Sequence, residues 1–144
     1  MNNIIYLDYG LPGLNEIIRV AKTPPKNGVV YAKMKKKYTN AIADELIIHG
    51  CVPDIPFDEI DIRFIWGETR AHRRDPDNIR AGSKFVLDAM VHVGIIPNDT
   101  GIMPDDVNPD SQYIGHIGHI SDHFVLHPKK RCVTISWIGR WYNE

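Results

Sequence analysis

Long hydrophobic runs are absent from this chain. No stretch approaches the roughly 20 apolar residues that a membrane-spanning helix needs, so no membrane span and no membrane partner are expected. Cysteine is scarce. Cys51 and Cys132 stand far apart, and no CxxC metal or redox motif is present. A disulfide between them is disfavoured in a reducing cytosol, so both read as small buried apolar residues. The opening residues MNNIIYLDYGLPG lack a basic segment and a long apolar core, so no signal peptide is expected and the expected location is the cytoplasm. Repeats of architectural period and linkers are missing too. With 144 residues, 43% hydrophobic and 24% charged, the chain suits one globular domain over 1–144.

Negative charge is missing locally. Residues 17 to 43 contain no acid and carry Arg19, Lys22, Lys26, Lys33, Lys35, Lys36 and Lys37. Residues 44 to 62 carry six acids and no Lys or Arg. The net charge of −1 therefore does not exclude a polyanionic partner, because the local field decides. The lysine run by itself reads first as a solvated helix face, and a polyanion partner needs support from elsewhere in the sequence.

Periodicity predicts the order β, α, β, α, then strands. NIIYLDY reads as a first strand, and GLPGLNE and TPPKNG read as turns. From about Val30 to His49, Tyr31, Met34, Tyr38, Ile42, Leu46 and Ile47 recur at helical spacing, with Gly50 as the stop. EIDIRFIW alternates as a half-buried strand. A second helix is predicted from Pro76 or Asp77 to Val93, closed by Gly94. PNDTGIMPDDVNPD reads as a loop, and QYIGHIGHI, HFVLHP and CVTISWI as three short β runs. The expected fold is α+β, a mixed or antiparallel sheet with two main helices on one side.

The stretch RRDPDNIRAGSKFVLDAMVHVGIIPND, residues 73 to 99, carries the chemistry. On a helical wheel, Ile79, Val86, Leu87 and Met90 form an apolar stripe, and Asp77, Arg80, Lys84 and Asp88 line another face. Asp75 before Pro76 suits a helix N-cap. A structural assignment is open: the acids cap the helix and complement its dipole, and Lys84 with Asp88 forms a surface pair. A catalytic assignment is open as well. Asp75 and Asp77 follow an arginine pair beside a strand end, and Asp99 returns after the helix. Three converging carboxylates suit Mg²⁺ or Mn²⁺, which take oxygen ligands and keep waters. Such an ion supports phosphodiester hydrolysis, with a nearby cation neutralising phosphate charge.

This stretch resembles the RusA family of Holliday junction resolvases, common in phages and prophages. The match rests on the Arg-Asp-x-Asp-Asn start, the helix lysine, the LDAM helix end and the terminal acidic corner. LPGLNEIIR is similar to that family's Pro-x-x-Asn segment, and AKMKKKYT to the basic first helix of its phage-type members. The resemblance covers most of residues 4 to 99. It implies a small homodimeric, Mg²⁺-dependent endonuclease (Mn²⁺ as substitute) that nicks four-way DNA junctions symmetrically. It carries metal binding to Asp75, Asp77 and Asp99, and catalysis to these acids and Lys84. Arg73, Arg74, Arg80, Lys33, Lys35, Lys36, Lys37 and Asn15 are the expected DNA contacts. Two departures stand out. Asn98 replaces the first acid of the terminal pair. Lys84 lies at i+7 from Asp77, roughly 10 Å along a regular helix and farther than in the founding type, so Arg80 at i+3 is a rival for its role.

His116, His119, His123 and His127 invite a zinc assignment. Gly115, Gly118 and the β-type context argue against a helix, and no cysteine or carboxylate completes a tetrahedral set. They read instead as a strand face or loop near DNA. Trp66 and Trp137 lie in alternating strands and read as core or interface, whereas Trp141 is open to base stacking. The leading expectation is thus a junction-resolving endodeoxyribonuclease of recombination and repair. The alternatives are a broader metal-dependent flap or fork nuclease, and a catalytically silent DNA-binding module of the same fold.

Overall fold

Alternation along one strand sets the architecture. Ile60, Ile62, Phe64 and Trp66 are buried, while Asp61, Arg63 and Ile65 between them are not. In the computed structural model, which describes residues 2–70, 74–99, 103–104, 112–113 and 116–142, these residues belong to β2 (Glu59–Glu68). With β1 (Ile4–Leu7), β5 (Ile117–Leu126) and β6 (Cys132–Arg140) it forms a mixed sheet in the order β1-β6-β2-β5. β6 runs antiparallel to both β1 and β2, and β5 runs parallel to β2. Two short strands, β3 (Met103–Pro104) and β4 (Gln112–Tyr113), pair separately.

The buried face takes Ile5 and Leu7 from β1 and Val133, Ile135 and Trp137 from β6. α2 (Val29–Ile48) and α4 (Ser83–Val93) cover that face with Ile42, Ala43 and Leu46, and with Phe85, Val86, Ala89 and Met90. The other face presents Ile4, Tyr6, Arg63 and Ile138 to solvent. The molecule is therefore a single small α+β domain with its main helices on one side of a mixed sheet, as the patterning predicts. Among the described residues no helix is long and apolar enough to cross a membrane.

Three local expectations are corrected. GLPGLNE is not only turn: its last three residues begin α1 (Leu14–Ala21), which follows Gly13 and buries none of its residues fully. Leu14, Ile17, Ile18 and Ala21 do recur at helical spacing, but over only eight residues, and Gly10, Pro12 and Gly13 just before them read as turn. The helix expected from 76 to 93 is two helices, α3 (Pro76–Arg80) and α4, separated at Ala81–Gly82. A Cβ on Gly82 would stand 2.8 Å from Leu11 Cβ and 3.2 Å from the Pro12 carbonyl oxygen, so the backbone there lies directly on the 11–12 loop. The wheel linking Asp77 to Lys84 and Asp88 therefore holds only within each piece. Finally, HFVLHP and the end of QYIGHIGHI belong to one ten-residue strand, β5, rather than two. Of the expected 97–110 loop, 103–104 form β3, and residues 100–102 and 105–110 lie outside the described residues.

Candidate active site

The acidic corner is built on Arg74. Its Nε and Nη2 donate to Glu68 Oε1 and Oε2 at 2.7 and 2.9 Å, and its Nη1 donates to the Leu11 carbonyl at 3.4 Å. Glu16 Oε1 is a further 3.7 Å neighbour, and the Arg74 side chain is only 11% exposed. Each of its three nitrogens has a partner inside the protein, so Arg74 clasps the end of β2 to the 10–16 segment. It does not stand as the free DNA contact expected of it. Arg73 lies outside the described residues.

Asp75 follows with extended backbone and caps α3, its Oδ1 accepting from the Asn78 backbone N–H at 2.8 Å, with Pro76 in the first turn. The cap assignment is met, and it commits one oxygen of a side chain that remains exposed. Asn78 is buried at 9% exposure, and its Oδ1 accepts from the Asn15 backbone N–H at 3.0 Å. A Cβ on Gly13 would stand 2.5 Å from Asn78 Oδ1 and 2.7 Å from Arg74 Nη1, so only glycine admits this contact. Asn15 thus meets the corner through its backbone, with its side chain in solvent.

Asp77 is 84% exposed and pairs with Arg80 at 3.2 Å. Arg80 Nε lies 3.8 Å from Asp122 Oδ2, and its guanidinium stands 5.9 Å from the Phe124 ring. Asp122 in turn accepts from Trp66 Nε1 at 2.8 Å. Arg80 is therefore the cation beside the acids. Lys84 turns toward α2, its Nζ 5.8 Å from the Tyr31 ring. Asp88, assigned to Lys84 in the surface-pair alternative, pairs with Lys35 at 3.5 Å. Lys33, Lys36 and Lys37 are exposed, Lys37 resting 5.3 Å from the Tyr38 ring. Asp99 is exposed three residues beyond buried Ile96.

The donor chemistry suits a hard dication: Asp75, Asp77 and Asp99 are all exposed carboxylates. Among the described residues, however, no three His, Cys, Asp or Glu side chains form a group that could hold a metal. Mg²⁺ commonly uses one or two carboxylates together with waters and substrate phosphates. Asp75 and Asp77 lie two residues apart at the start of α3, and each exposes its carboxylate.

The histidines do not gather either. His119 and His123 lie on β5, and His116 and His127 flank it. At ~3.3 Å per residue an extended strand holds the outer two far apart. His116 Nδ1 bonds the Asp58 carbonyl at 2.8 Å. Trp66 and Trp137 are core residues. Trp141 stacks near Phe57 at 4.5 Å and donates to the Ile55 and Pro56 carbonyls, so its ring is also committed.

Glu68, Glu16, Asn78 and Asp122 were missed in the sequence. Asn78 carried a signal, following Asp77 in the quoted motif; the other three acquire partners only through the fold. Compared with protein-family models and with curated proteins, the chain matches none.

Proposed function

We propose that this protein is a Mg²⁺-dependent, structure-selective endodeoxyribonuclease that resolves four-way DNA junctions by paired phosphodiester hydrolysis, as a homodimer, in recombination and repair. The observation that carries the reading is the corner itself. A bidentate Arg74–Glu68 clasp and the cap from Asp75 to the Asn78 backbone fix the chain from which two carboxylates, Asp75 and Asp77, project into solvent, and Asp77 pairs with a cation, Arg80. Such rigid support is what a reactive constellation needs and what a solvated cap does not.

Asp75 and Asp77, joined by Asp99, would hold Mg²⁺, with Mn²⁺ as a substitute. The ion would supply an activated water and charge stabilisation on the leaving oxygen. Arg80, leaving Asp77 for substrate, would neutralise phosphate charge; Lys84, the lysine favoured by the RusA resemblance, is the second cation to test. A flap or fork nuclease and a silent DNA-binding module are the alternatives.

The deciding experiment offers a four-way junction and a matched linear duplex with Mg²⁺ and maps the cuts. Symmetric nicks confined to the junction are expected. Ca²⁺ should permit binding with little cutting, because its longer and looser coordination misplaces the water. Cutting of flaps or forks in preference to the junction selects the first alternative, and binding without any cutting in Mg²⁺ selects the second.

A further inference from the structure

A second basic feature lies at the end of β2, where the turn between β5 and β6 folds against it. A cleft of about 740 Å³ opens there, and four of its lining residues are cations: Arg70, Lys129, Lys130 and Arg131. No acid lines it. Lys130 is 3.9 Å from Asp8 and Arg131 is 3.6 Å from Glu16. Arg70 and Lys129 are exposed and have no ion-pair partner among the described residues. Among the described residues the cleft therefore carries an excess of positive charge.

The turn is shaped rather than loose. The His127 backbone N–H donates to the Glu68 carbonyl at 2.7 Å, which fixes the turn to β2. His127 Nδ1 accepts from the backbone N–H groups of both Lys129 and Lys130 at 3.2 Å. A neutral ring that accepts at Nδ1 carries its proton on Nε2, so His127 adds a donor to the cleft it lines. Leu126, 57% exposed, and Pro128 give the same cleft an apolar wall.

The cleft also adjoins the acidic corner. Arg131 of the cleft and Arg74 of the corner approach the same oxygen, Glu16 Oε1, at 3.6 and 3.7 Å. Glu68, which grips Arg74, immediately precedes the lining residues Thr69 and Arg70. A polyanionic strand with one phosphate at the corner can thus run on into the cleft.

We propose that this cleft is a phosphate-binding site for a nucleic-acid strand, with Arg70 and Lys129 contacting backbone phosphates and the Leu126–Pro128 wall packing against sugar or base. Cations in excess supply affinity through counterion release, and an apolar wall beside them suits a nucleotide better than a bare inorganic anion. The inference deepens the nuclease reading, since it supplies a path for DNA leaving the corner, but it requires binding only and not cutting.

The test measures anisotropy of a labelled single-stranded oligonucleotide with EDTA present, over a range of salt. The proteins compared are the wild type, an Arg70→Ala/Lys129→Ala variant and the corresponding Arg70→Glu/Lys129→Glu variant. Both positions are exposed, and melting curves check that the fold is kept. The alanine pair should weaken binding by about tenfold or more, and the log–log salt slope should shallow by about 1.4, or ~0.7 per lost phosphate contact. Charge reversal should weaken binding further. Unchanged affinity and slope in both variants would overturn the proposal. So would polyglutamate displacing the oligonucleotide as well as an unlabelled strand of equal charge, which would assign the cleft to acidic peptides. Absence of wild-type oligonucleotide binding at low salt would overturn it too. Junction cleavage by the wild type in Mg²⁺ is scored separately. Binding lost in the variants without any wild-type cutting leaves the cleft standing and removes the nuclease reading. Wild-type cutting with binding unchanged in the variants does the reverse.

Discussion

Arg74 and Glu68 meet through two parallel hydrogen bonds, 2.7 and 2.9 Å long, with side chains only 11% and 14% exposed. Each neutralises a charge that the other would strand in the protein. Arg74→Ala should therefore cost about 3 kcal/mol, because it leaves Glu68 half of a buried pair. Arg74→Lys should recover little, since an ammonium cannot reproduce the planar fork. Urea unfolding midpoints measure both. An Arg74→Ala midpoint equal to wild type would show that the clasp does not hold the corner.

The acids should separate stability from activity. Asp75→Asn keeps an N-cap acceptor of nearly equal quality, and Asp77→Asn alters a solvent-facing side chain, so neither should shift the melting temperature appreciably. Each of these variants, and Asp99→Asn, should abolish cleavage while retaining junction binding, because each removes a proposed metal ligand and a negative charge from a surface that accepts phosphate. Wild-type turnover by Asp77→Asn would remove Asp77 from the site.

Features of this corner fixed by neighbouring residues were legible in the sequence. Asp75 before Pro76 announced a cap, and Gly94, at φ 87, closed α4 where expected. The sheet's buried face followed from alternation in β2. The break at Ala81–Gly82 was not legible, because its contact is with Leu11 and Pro12, far away in sequence. A wheel drawn through it put Lys84 on the same face as Asp77, two turns along, whereas past the break Lys84 turns to Tyr31; Asp77 pairs with Arg80, the cation nearer to it in sequence. Arg74 misled for a related reason: an arginine beside acids has the same appearance in sequence whether it faces DNA or Glu68.

The lysine run divides by partner. Lys35 is committed to Asp88, whereas Lys33, Lys36 and Lys37 are exposed on α2. Replacing those three with Ala should shallow the log–log salt slope of junction binding, and Lys35→Ala should change it less. Equal slopes for the triple variant and wild type would make this face a solvated surface only.

Alkaline pH should destabilise the fold. Burial pushes the Cys51 thiol and the Tyr9 hydroxyl above their ordinary values of 9.0 and 10.0. The folded state thus favours their neutral forms. That preference is fully present below the ordinary values and is lost as the groups ionise first in the unfolded chain. The thermal midpoint should fall from about pH 9 upward. Cys51→Ala, though less stable throughout, should show a shallower alkaline fall; an identical profile would acquit the thiol.

The protein should be a homodimer, and the sheet narrows where its copies meet. Of the two late β runs HFVLHP and CVTISWI, the second is β6, which lies between β1 and β2 and pairs with β1 over Val133–Ser136. β5 pairs only with β2, so its outer backbone is unpaired among the described residues, and it exposes Ile120 and Phe124 at 38% each and Val125 at 47%. An exposed ten-residue edge of this kind invites pairing with a second copy. Resolution of a four-way junction requires two opposed cuts, and a two-fold axis supplies two sites in matching orientation. Sedimentation at micromolar concentration should give twice the 16.4 kDa chain mass. An Ile120→Lys/Val125→Asp variant should sediment as a monomer and nick junctions on one strand without resolving them. A wild-type protein that stays monomeric on junction DNA would exclude paired resolution and move the assignment to a flap or fork nuclease.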